Sequence, residues 1–191
     1  MTDKIFEKMV LDMAQKIKDE CNTKTKCGSS LYLLFGEELS TQAISVRFGN
    51  QLETLLNDFS TTCGISHLSS TSFIDGHQVD SLRNINSCLH YEEQKTNAGL
   101  DSEKIVATIN KVLAIKESLE KTQDLPVVAS ILHSTVWEES DAPDFKSYYV
   151  RYKNAGVEVK TMNKYFSELG VDLTKDDFYS IFRKAGEILR K

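Results

Sequence analysis

The sequence predicts an α/β fold in which a central mixed β-sheet is flanked by helices, with extra helices at the N- and C-terminal ends. Three observations favour this class. Apolar residues recur at helical spacing in several long segments, shorter segments between them alternate like strands, and a continuous apolar run covers residues 125–132. A buried strand that follows a helix in this way is typical of a βαβ unit. We expect one domain over residues 1–191, with the core that carries the candidate site residues at about 40–133.

The first two predicted helices precede the sheet. Apolar residues at steps of three and four between Ile5 and Ile17 indicate an amphipathic helix. A second helix is predicted from about Ser40 to Phe59, with Ser40 or Thr41 as its N-cap. Glu53 lies on this second helix, beside its apolar stripe. We expect the Ser- and Thr-rich stretch 60–72 to lead from the helix into the sheet.

A β-hairpin is predicted next. Residues Phe73–Ile85 are interpreted as one strand, because polar and apolar residues alternate near its end. A turn follows at 84–87, and Cys88–Lys95 is the antiparallel partner. Because side chains alternate between the two faces of a strand, we expect Glu93 and Lys95 to point to the same side.

The second half of the chain begins with a helix that opens at Asp101 or Ser102. The buried strand of residues 125–132 follows it, with Pro126 near its beginning. Two helices then close the chain on either side of Gly170. Residues 134–191 thus lie outside the expected core.

Composition limits the possible partners. The chain has 23 Lys+Arg and 28 Asp+Glu, a formal net charge of −5, so bulk positive charge cannot hold nucleic acid or a membrane surface. Any contact with a polyanion must therefore be local. The chain shows no signal-peptide pattern and no membrane-spanning run, and its four cysteines form no CxxC pair. We expect a cytoplasmic protein with reduced cysteines and no membrane partner.

The most informative residues for function are Asp80 and the triplet Glu93-Gln94-Lys95. On the predicted hairpin, Asp80 and Glu93 come from adjacent strands, so two carboxylates and one ammonium group can converge. Hard oxygen ligands of this kind suit Mg²⁺, which takes one or two carboxylates and completes its shell with water and phosphate oxygens. A metal held there could activate water for phosphodiester hydrolysis, with Lys95 orienting that water or neutralising transition-state charge.

Asp80 with Glu93-Gln94-Lys95 resembles the catalytic signature of the PD-(D/E)xK nuclease superfamily, which includes many type II restriction endonucleases. The helix that carries Glu53 and the passage from His90 to Lys104 are also similar to parts of that family. The resemblance implies a restriction-endonuclease-like core and Mg²⁺-dependent cleavage of double-stranded DNA at a short specific site, with Mn²⁺ as a substitute metal.

The resemblance also implies residue roles. Asp80 and Glu93 would bind the metal together with the main-chain carbonyl of Gln94, Lys95 would assist the attacking water, and Glu53 would support the metal shell. Cutting both strands of a palindromic site calls for two active sites related by a two-fold axis, so we expect a homodimer. The terminal helices, or the methionine-rich face of the first helix, are the candidate dimer surfaces.

The signature leaves two choices of residue to be made. Val79 stands where the family often has proline, and Glu92 is adjacent to Glu93. We reject Glu92 because only Glu93 lies two residues from Lys95. Asp75 is a second candidate for the upstream acid, but only if the strand were shifted.

DNA contacts are expected in a basic stretch near residues 144–164, where tyrosines are interleaved with lysine and arginine. This stretch belongs to residues 134–191, which we expect to supply DNA contacts or dimer contacts to the core. An alternative left open is that the stretch is an ordinary strand and turn whose aromatic side chains pack in the core. Asn97, directly after the catalytic strand, is a further expected contact. The candidate DNA-binding residues are Asn97, Lys146, Tyr149, Arg151, Lys153 and Lys160.

Other functions remain open from sequence alone. The chain could be a structure-selective or repair nuclease of the same fold, or a non-catalytic DNA-binding or interaction module. A zinc site that uses Cys21, Cys27 and Cys63 is disfavoured by the spacing of the first two. Metal binding that depends on Asp80 would discriminate catalytic from non-catalytic functions.

Overall fold

The computed structural model describes residues 2–20, 42–67, 73–99, 102–142 and 145–190. The helices in these ranges are α1 (Thr2–Glu20), α2 (Gln42–Thr62), α3 (Ser102–Thr122), α4 (Phe145–Asn154), α5 (Met162–Glu168) and α6 (Lys175–Arg190). The strands are β1 (Ser66–His67), β2 (Phe73–Ile74), β3 (His77–Gln78), β4 (Ser81–Ile85), β5 (Cys88–Lys95), β6 (Val127–His133) and β7 (Glu158–Lys160).

The main sheet is mixed, which confirms the predicted fold class. Its strand order is β1-β4-β5-β6-β7, with β4 antiparallel to β5, and β5, β6 and β7 parallel to one another. Helix α3 connects β5 to β6, and this is the crossover that parallel neighbours require. The register pairs Glu93 with Ile131 and Lys95 with His133. The carboxyl ends of β5 and β6 therefore lie side by side.

The predicted hairpin between β4 and β5 is confirmed, and its turn consists of Asn86 and Ser87, since Ile85 pairs with Cys88. Both turn residues have positive φ, 52° and 60°, as a type I′ turn requires.

The prediction of one strand over Phe73–Ile85 is wrong. β2 and β3 form a small separate hairpin around Asp75 and Gly76, with φ of 49° and 77°, and β4 begins only at Ser81. An Asp-Gly pair favours this reversal because both residues tolerate a left-handed conformation. Asp80 consequently lies just before β4 rather than inside a long strand.

Helices cover both faces of the sheet. On one face, α3 and α4 pack over Tyr91 and Ile131. On the other face, α1, α2, α5 and α6 enclose a group of aromatic rings, in which Phe6 lies 5.0 Å from Phe59 and 4.9 Å from Phe166 between ring centroids. The sheet thus separates two apolar layers.

The terminal helices pack against each other within the chain. Phe6 and Met13 of α1 are buried with Phe182 of α6 in the same core cluster. The methionine-rich face of α1 is therefore not available as a dimer surface, and that expectation is wrong. The apolar face of α6 is buried in the same way.

The other predicted helices lie close to their expected positions. The predicted N-caps of α2, Ser40 and Thr41, lie outside the described residues. β6 begins directly after Pro126, and Gly170 has a φ of 67° just beyond α5. Among the helices of the described ranges, none combines the length and hydrophobicity that crossing a bilayer requires.

Candidate active site

The carboxyl end of β5 brings three of the predicted site residues together. Lys95 Nζ lies 2.6 Å from Glu93 Oε1 and 3.8 Å from Asp80 Oδ2. Asp80 lies next to Glu93 because the following residue, Ser81, pairs with Glu92. Only 8% of Asp80 and 3% of Glu93 is exposed. Two carboxylates and one ammonium group thus converge in a largely buried position at the strand end.

A second lysine, which the sequence analysis did not identify, completes this group. Lys111 of α3 places its Nζ 2.5 Å from Glu93 Oε2 and 3.4 Å from Asp80 Oδ1. It lies on the buried side of α3, three residues after Thr108 and four before Ile115. Its spacing from the buried residues of α3 is the sequence feature from which its position facing the sheet could have been predicted.

The charges around Glu93 determine how the two carboxylates titrate. Burial alone would raise the pKa of Glu93, but Lys95 and Lys111 outweigh burial and hold it below its usual value. Tyr91 also donates a 2.9 Å hydrogen bond from its hydroxyl to Glu93 Oε2. Burial, reinforced by the charge of Glu93, raises the pKa of Asp80. Of the two carboxylates, Glu93 is therefore the more strongly held in its ionised form.

Hydrogen bonds from α2 and β5 fix Asp80. The Gln94 backbone N–H donates to Asp80 Oδ2 at 3.0 Å, and Asn57 Nδ2 donates to the Asp80 carbonyl at 2.9 Å. Gln94 Nε2 also donates to Asn57 Oδ1 at 3.2 Å. Asn57, which the sequence analysis did not identify, therefore links α2 to Asp80 and to Gln94 of β5.

The main-chain carbonyl of Gln94 is directed towards the β4 side of β5. The carbonyl of the next residue, Lys95, accepts a hydrogen bond from Ser134 N–H beyond β6. Successive carbonyls along a strand point to opposite edges, so that of Gln94 points to the edge where Asp80 lies. Its direction is compatible with the predicted ligand role.

Glu53 lies one helical turn before Asn57 on α2 and is half-buried. Its pKa is raised to about 7, first by burial and then by the nearby charges of Asp80 and Glu93. Glu53 is thus within electrostatic reach of both carboxylates, as its predicted supporting role requires.

The geometry agrees with the choices made between neighbouring acids. Glu92 points to the opposite face of the sheet, where it forms buried ion pairs with Arg83 and Lys160. Asp75 is exposed in the turn between β2 and β3. Neither residue contributes to the group around Asp80 and Glu93.

Two of the expected DNA contacts are wrong because the side chains are buried. Tyr149 is 7% exposed, and its hydroxyl lies 3.1 Å from Nδ1 of His133. Lys160 is 2% exposed and pairs with Glu92 and Glu168. The tyrosines of this stretch pack in the core, as the open alternative expected, but Phe145–Asn154 forms helix α4, so the strand and turn of that alternative are wrong.

The remaining expected contacts lie at the surface, except for one that is not described. Arg151 and Lys153 are exposed on α4, and Arg151 Nη1 donates to Ser102 Oγ at 3.0 Å. Asn97 is exposed beyond β5, where its Oδ1 accepts a 2.8 Å hydrogen bond from Gly99 N–H. The side chain of Lys146 lies outside the described residues.

The donor set suits a hard divalent cation, although lysines already neutralise it. Each carboxylate of the Asp80 and Glu93 pair directs one oxygen to Lys95 and the other to Lys111. Mg²⁺ requires only one or two carboxylates besides water and phosphate oxygens. In the described part of the chain, no group of three or more His, Cys, Asp or Glu side chains is arranged as a metal site.

The structure adds nothing to the disfavoured zinc site. Cys63 is a free, half-buried thiol, whereas Cys21 and Cys27 lie outside the described residues.

Comparisons with protein-family models, with curated proteins and with solved structures each find no match to this chain. Assignment of a function therefore depends on the chemistry of the residues around Asp80 and Glu93.

Proposed function

We propose that the chain is a Mg²⁺-dependent endonuclease of the PD-(D/E)xK superfamily, of the type II restriction kind. Its substrate would be double-stranded DNA, hydrolysed at a short specific sequence. The observation that carries this proposal is the convergence of Asp80, Glu93 and Lys95 at the carboxyl end of β5. Glu53 of α2 lies within electrostatic reach of Asp80 and Glu93 and supports the same assignment.

The proposed roles follow from the positions of these groups. Asp80, Glu93 and the Gln94 carbonyl would hold Mg²⁺ or Mn²⁺. When bound, such an ion polarises the scissile phosphate and lowers the pKa of a coordinated water. Lys95, held against Glu93, would orient the attacking water and offset negative charge in the transition state.

Three further residues would keep the site in its working geometry. Glu53 would support the metal shell from α2. Asn57 fixes the backbone next to Asp80, and the Tyr91 hydroxyl holds one oxygen of Glu93. Restraint of this kind matters because misplacement of a reacting group by about 1 Å can reduce a rate by about a hundredfold.

A homodimer is part of the proposal, because cleavage of both strands of a palindromic site needs two equivalent active sites. The exposed Arg151, Lys153 and Asn97 remain the proposed DNA contacts. They could supply the local positive and polar contacts that a chain with a net charge of −5 needs in order to bind DNA.

The test is cleavage of supercoiled plasmid DNA in Mg²⁺ and in EDTA. We expect cleavage by the wild type only with Mg²⁺, and a loss of at least about a hundredfold in Asp80→Asn and Lys95→Ala. Asp75→Asn is the matched control, because it removes an exposed acid from the same segment, and it should cleave normally. Full cleavage by Asp80→Asn or Lys95→Ala would refute the site assignment.

The products separate the proposed function from its alternatives. A fixed set of fragments would support sequence-specific cleavage, whereas nicking confined to flaps or junctions would identify a structure-selective nuclease. If the wild type neither cleaves DNA nor binds Mg²⁺, the chain is a non-catalytic module.

A further inference from the structure

We propose that Lys111 is a tethered cation that, in the metal-free protein, occupies the place between Asp80 and Glu93 where a divalent cation binds. Metal entry would then require the Lys111 ammonium group to leave. This inference rests on the proposed function for the identity of the metal. It concerns a residue of α3 that lies outside the signature of Asp80, Glu93 and Lys95.

The first support is the bridging position of the ammonium group. Lys111 Nζ contacts one oxygen of each carboxylate, Glu93 Oε2 at 2.5 Å and Asp80 Oδ1 at 3.4 Å. A cation shared between these two oxygens would occupy the same space. Lys95 contacts the other oxygen of each carboxylate.

The second support is the charge of the site. Two carboxylates and two ammonium groups have a formal sum of zero, so a divalent cation added to all four would leave an excess of +2, or of +1 when the nearby Glu53 is ionised. Such an excess is unfavourable in a largely buried place, because like charges there are poorly screened. Withdrawal of one ammonium group reduces the excess.

Lys111, rather than Lys95, is the group that can withdraw. Lys95 follows Glu93 on the same strand and has a proposed role next to the attacking water. The Lys111 side chain extends from a separate helix and has no such role; exposure does not separate the two lysines, since 21% of the Lys111 side chain and 27% of the Lys95 side chain is exposed. Its flexible four-carbon chain can carry the ammonium group into solvent.

Competition of this kind has two effects. It keeps the carboxylate pair neutralised and ordered without metal, and it weakens the apparent affinity for metal. Removing the Lys111 charge should therefore strengthen divalent-cation binding.

The test is calorimetric titration of the full chain with Mg²⁺ and with Mn²⁺. For Lys111→Met, which keeps the length of the side chain without its charge, we expect a Kd at least about tenfold tighter than in the wild type. Lys116→Met is the matched control: it lies on the same helix but pairs at the surface with Glu120, at 2.8 Å, and its Kd should not change. An unchanged or weaker Kd in Lys111→Met would overturn the proposal.

A second measurement tests the proposal even if Lys111→Met is less stable than the wild type. Thermal unfolding should show a lower Tm for Lys111→Met in EDTA and a larger gain in Tm with Mg²⁺ than in the wild type. If Lys111→Met does not fold, Lys111→Gln carries the same expectations. An equal or smaller metal-dependent gain in Tm would contradict the competition.

The two proposals fail in different ways. Metal-dependent cleavage by the wild type, without tighter binding in Lys111→Met, would reject the role of Lys111 alone. Tighter metal binding in Lys111→Met, without cleavage by the wild type, would reject the nuclease function and leave the cation competition in place. Absence of metal binding in both proteins would reject both.

Discussion

Glu92 and Glu93 are adjacent residues whose carboxylates lie on opposite faces of β5, and each is stabilised by two cations. Arg83 and Lys160 outweigh the effect of burial on Glu92 and lower its pKa, as Lys95 and Lys111 do for Glu93. Removing a carboxylate from water disfavours its charged form, so paired cations are what keep both residues ionised.

His133 is the buried titratable group nearest the strand end on β6. It pairs in register with Lys95, and the hydroxyl of Tyr149 lies 3.1 Å from its Nδ1. Burial lowers the pKa of His133 to about 4. The imidazole is therefore neutral in the folded protein at neutral pH.

This burial predicts a loss of stability in mild acid. The unfolded imidazole, with a pKa of 6.5, binds a proton as the pH falls, whereas the folded one does so only near pH 4. The free energy of unfolding should therefore decrease between about pH 6.5 and pH 4, by up to about 3 kcal/mol from this residue. Urea unfolding at pH 7.5 and 4.5 should show a smaller decrease in His133→Gln than in the wild type; equal decreases would contradict the assignment.

For single residues, the sequence was sufficient to assign those site residues whose positions depend on the alternation of side chains along a strand. Spacing alone distinguished Glu93 from Glu92 relative to Lys95. It could not identify Lys111 or Asn57, because their contacts depend on how α3 and α2 lie across the sheet. Nor could the sequence decide whether the Tyr149 side chain lies at the surface or in the core, because a helix directs residues of one segment to both its exposed and its buried side.

Strand β5 is stabilised by an ionic cluster on the face opposite Glu93. The cluster consists of Arg83, Glu92, Lys160 and Glu168. These residues belong to β4, β5, β7 and the end of α5. The Arg83 guanidinium also lies 4.9 Å from the centroid of the Tyr165 ring. The cluster thus joins strands from both sides of β5.

Glu92→Gln should destabilise the protein by about 3–5 kcal/mol, because it removes the fully buried carboxylate of the cluster and leaves only Glu168 to balance two buried cations. The free energy of unfolding in urea measures this loss. Glu158→Gln is the control: Glu158 pairs with Lys164 at the surface, where such a pair contributes about 0–1 kcal/mol. Similar values for the two variants would show that the cluster around Glu92 contributes no more than a surface pair.

Helix periodicity predicted the long elements well, because the buried stripes of α1, α2 and α3 are regular. The error over Phe73–Ile85 arose because alternation near Asp80 was extended back through Asp75 and Gly76. A local turn preference decided the structure there, and it moved Asp80 from a strand interior to the residue before β4.

Helix α1 completes the apolar layer that covers one face of the sheet. Phe6 contacts rings from three other helices, Phe59 of α2, Phe166 of α5 and Phe182 of α6. Distant parts of the chain therefore share one apolar layer. The candidate-site residues Asp80, Glu93 and Lys111 come from a much shorter part of the sequence.

Phe6→Ala should lower the free energy of unfolding by about 3–5 kcal/mol, because it removes a large side chain from this shared layer. Ile5→Ala is the matched control, since Ile5 is 37% exposed on the same helix, and it should have a much smaller effect. Chemical denaturation of both variants checks this. A small loss in Phe6→Ala would mean that α1 contributes little to the folded core.

The sequence predicted the α/β class of the whole molecule because a hairpin followed by a crossover helix and a buried strand is compatible with few sheet topologies. It could not predict which surfaces remain free, because the pairing of α1 with α6 is set by packing between distant segments. The methionine-rich face of α1 was one of the candidate dimer surfaces and instead packs inside the chain.

The two-residue turn at Asn86 and Ser87 has a consequence for the order in which the site assembles. A hairpin with so short a loop can close within about 1–10 μs, before more distant parts of the chain dock. Asp80, Glu93 and Lys95 all lie on or beside this hairpin, whereas Lys111 arrives only with α3. We therefore expect the two carboxylates to meet early in folding, with a single lysine between them. A divalent cation in the refolding buffer should accelerate that step by relieving their mutual repulsion.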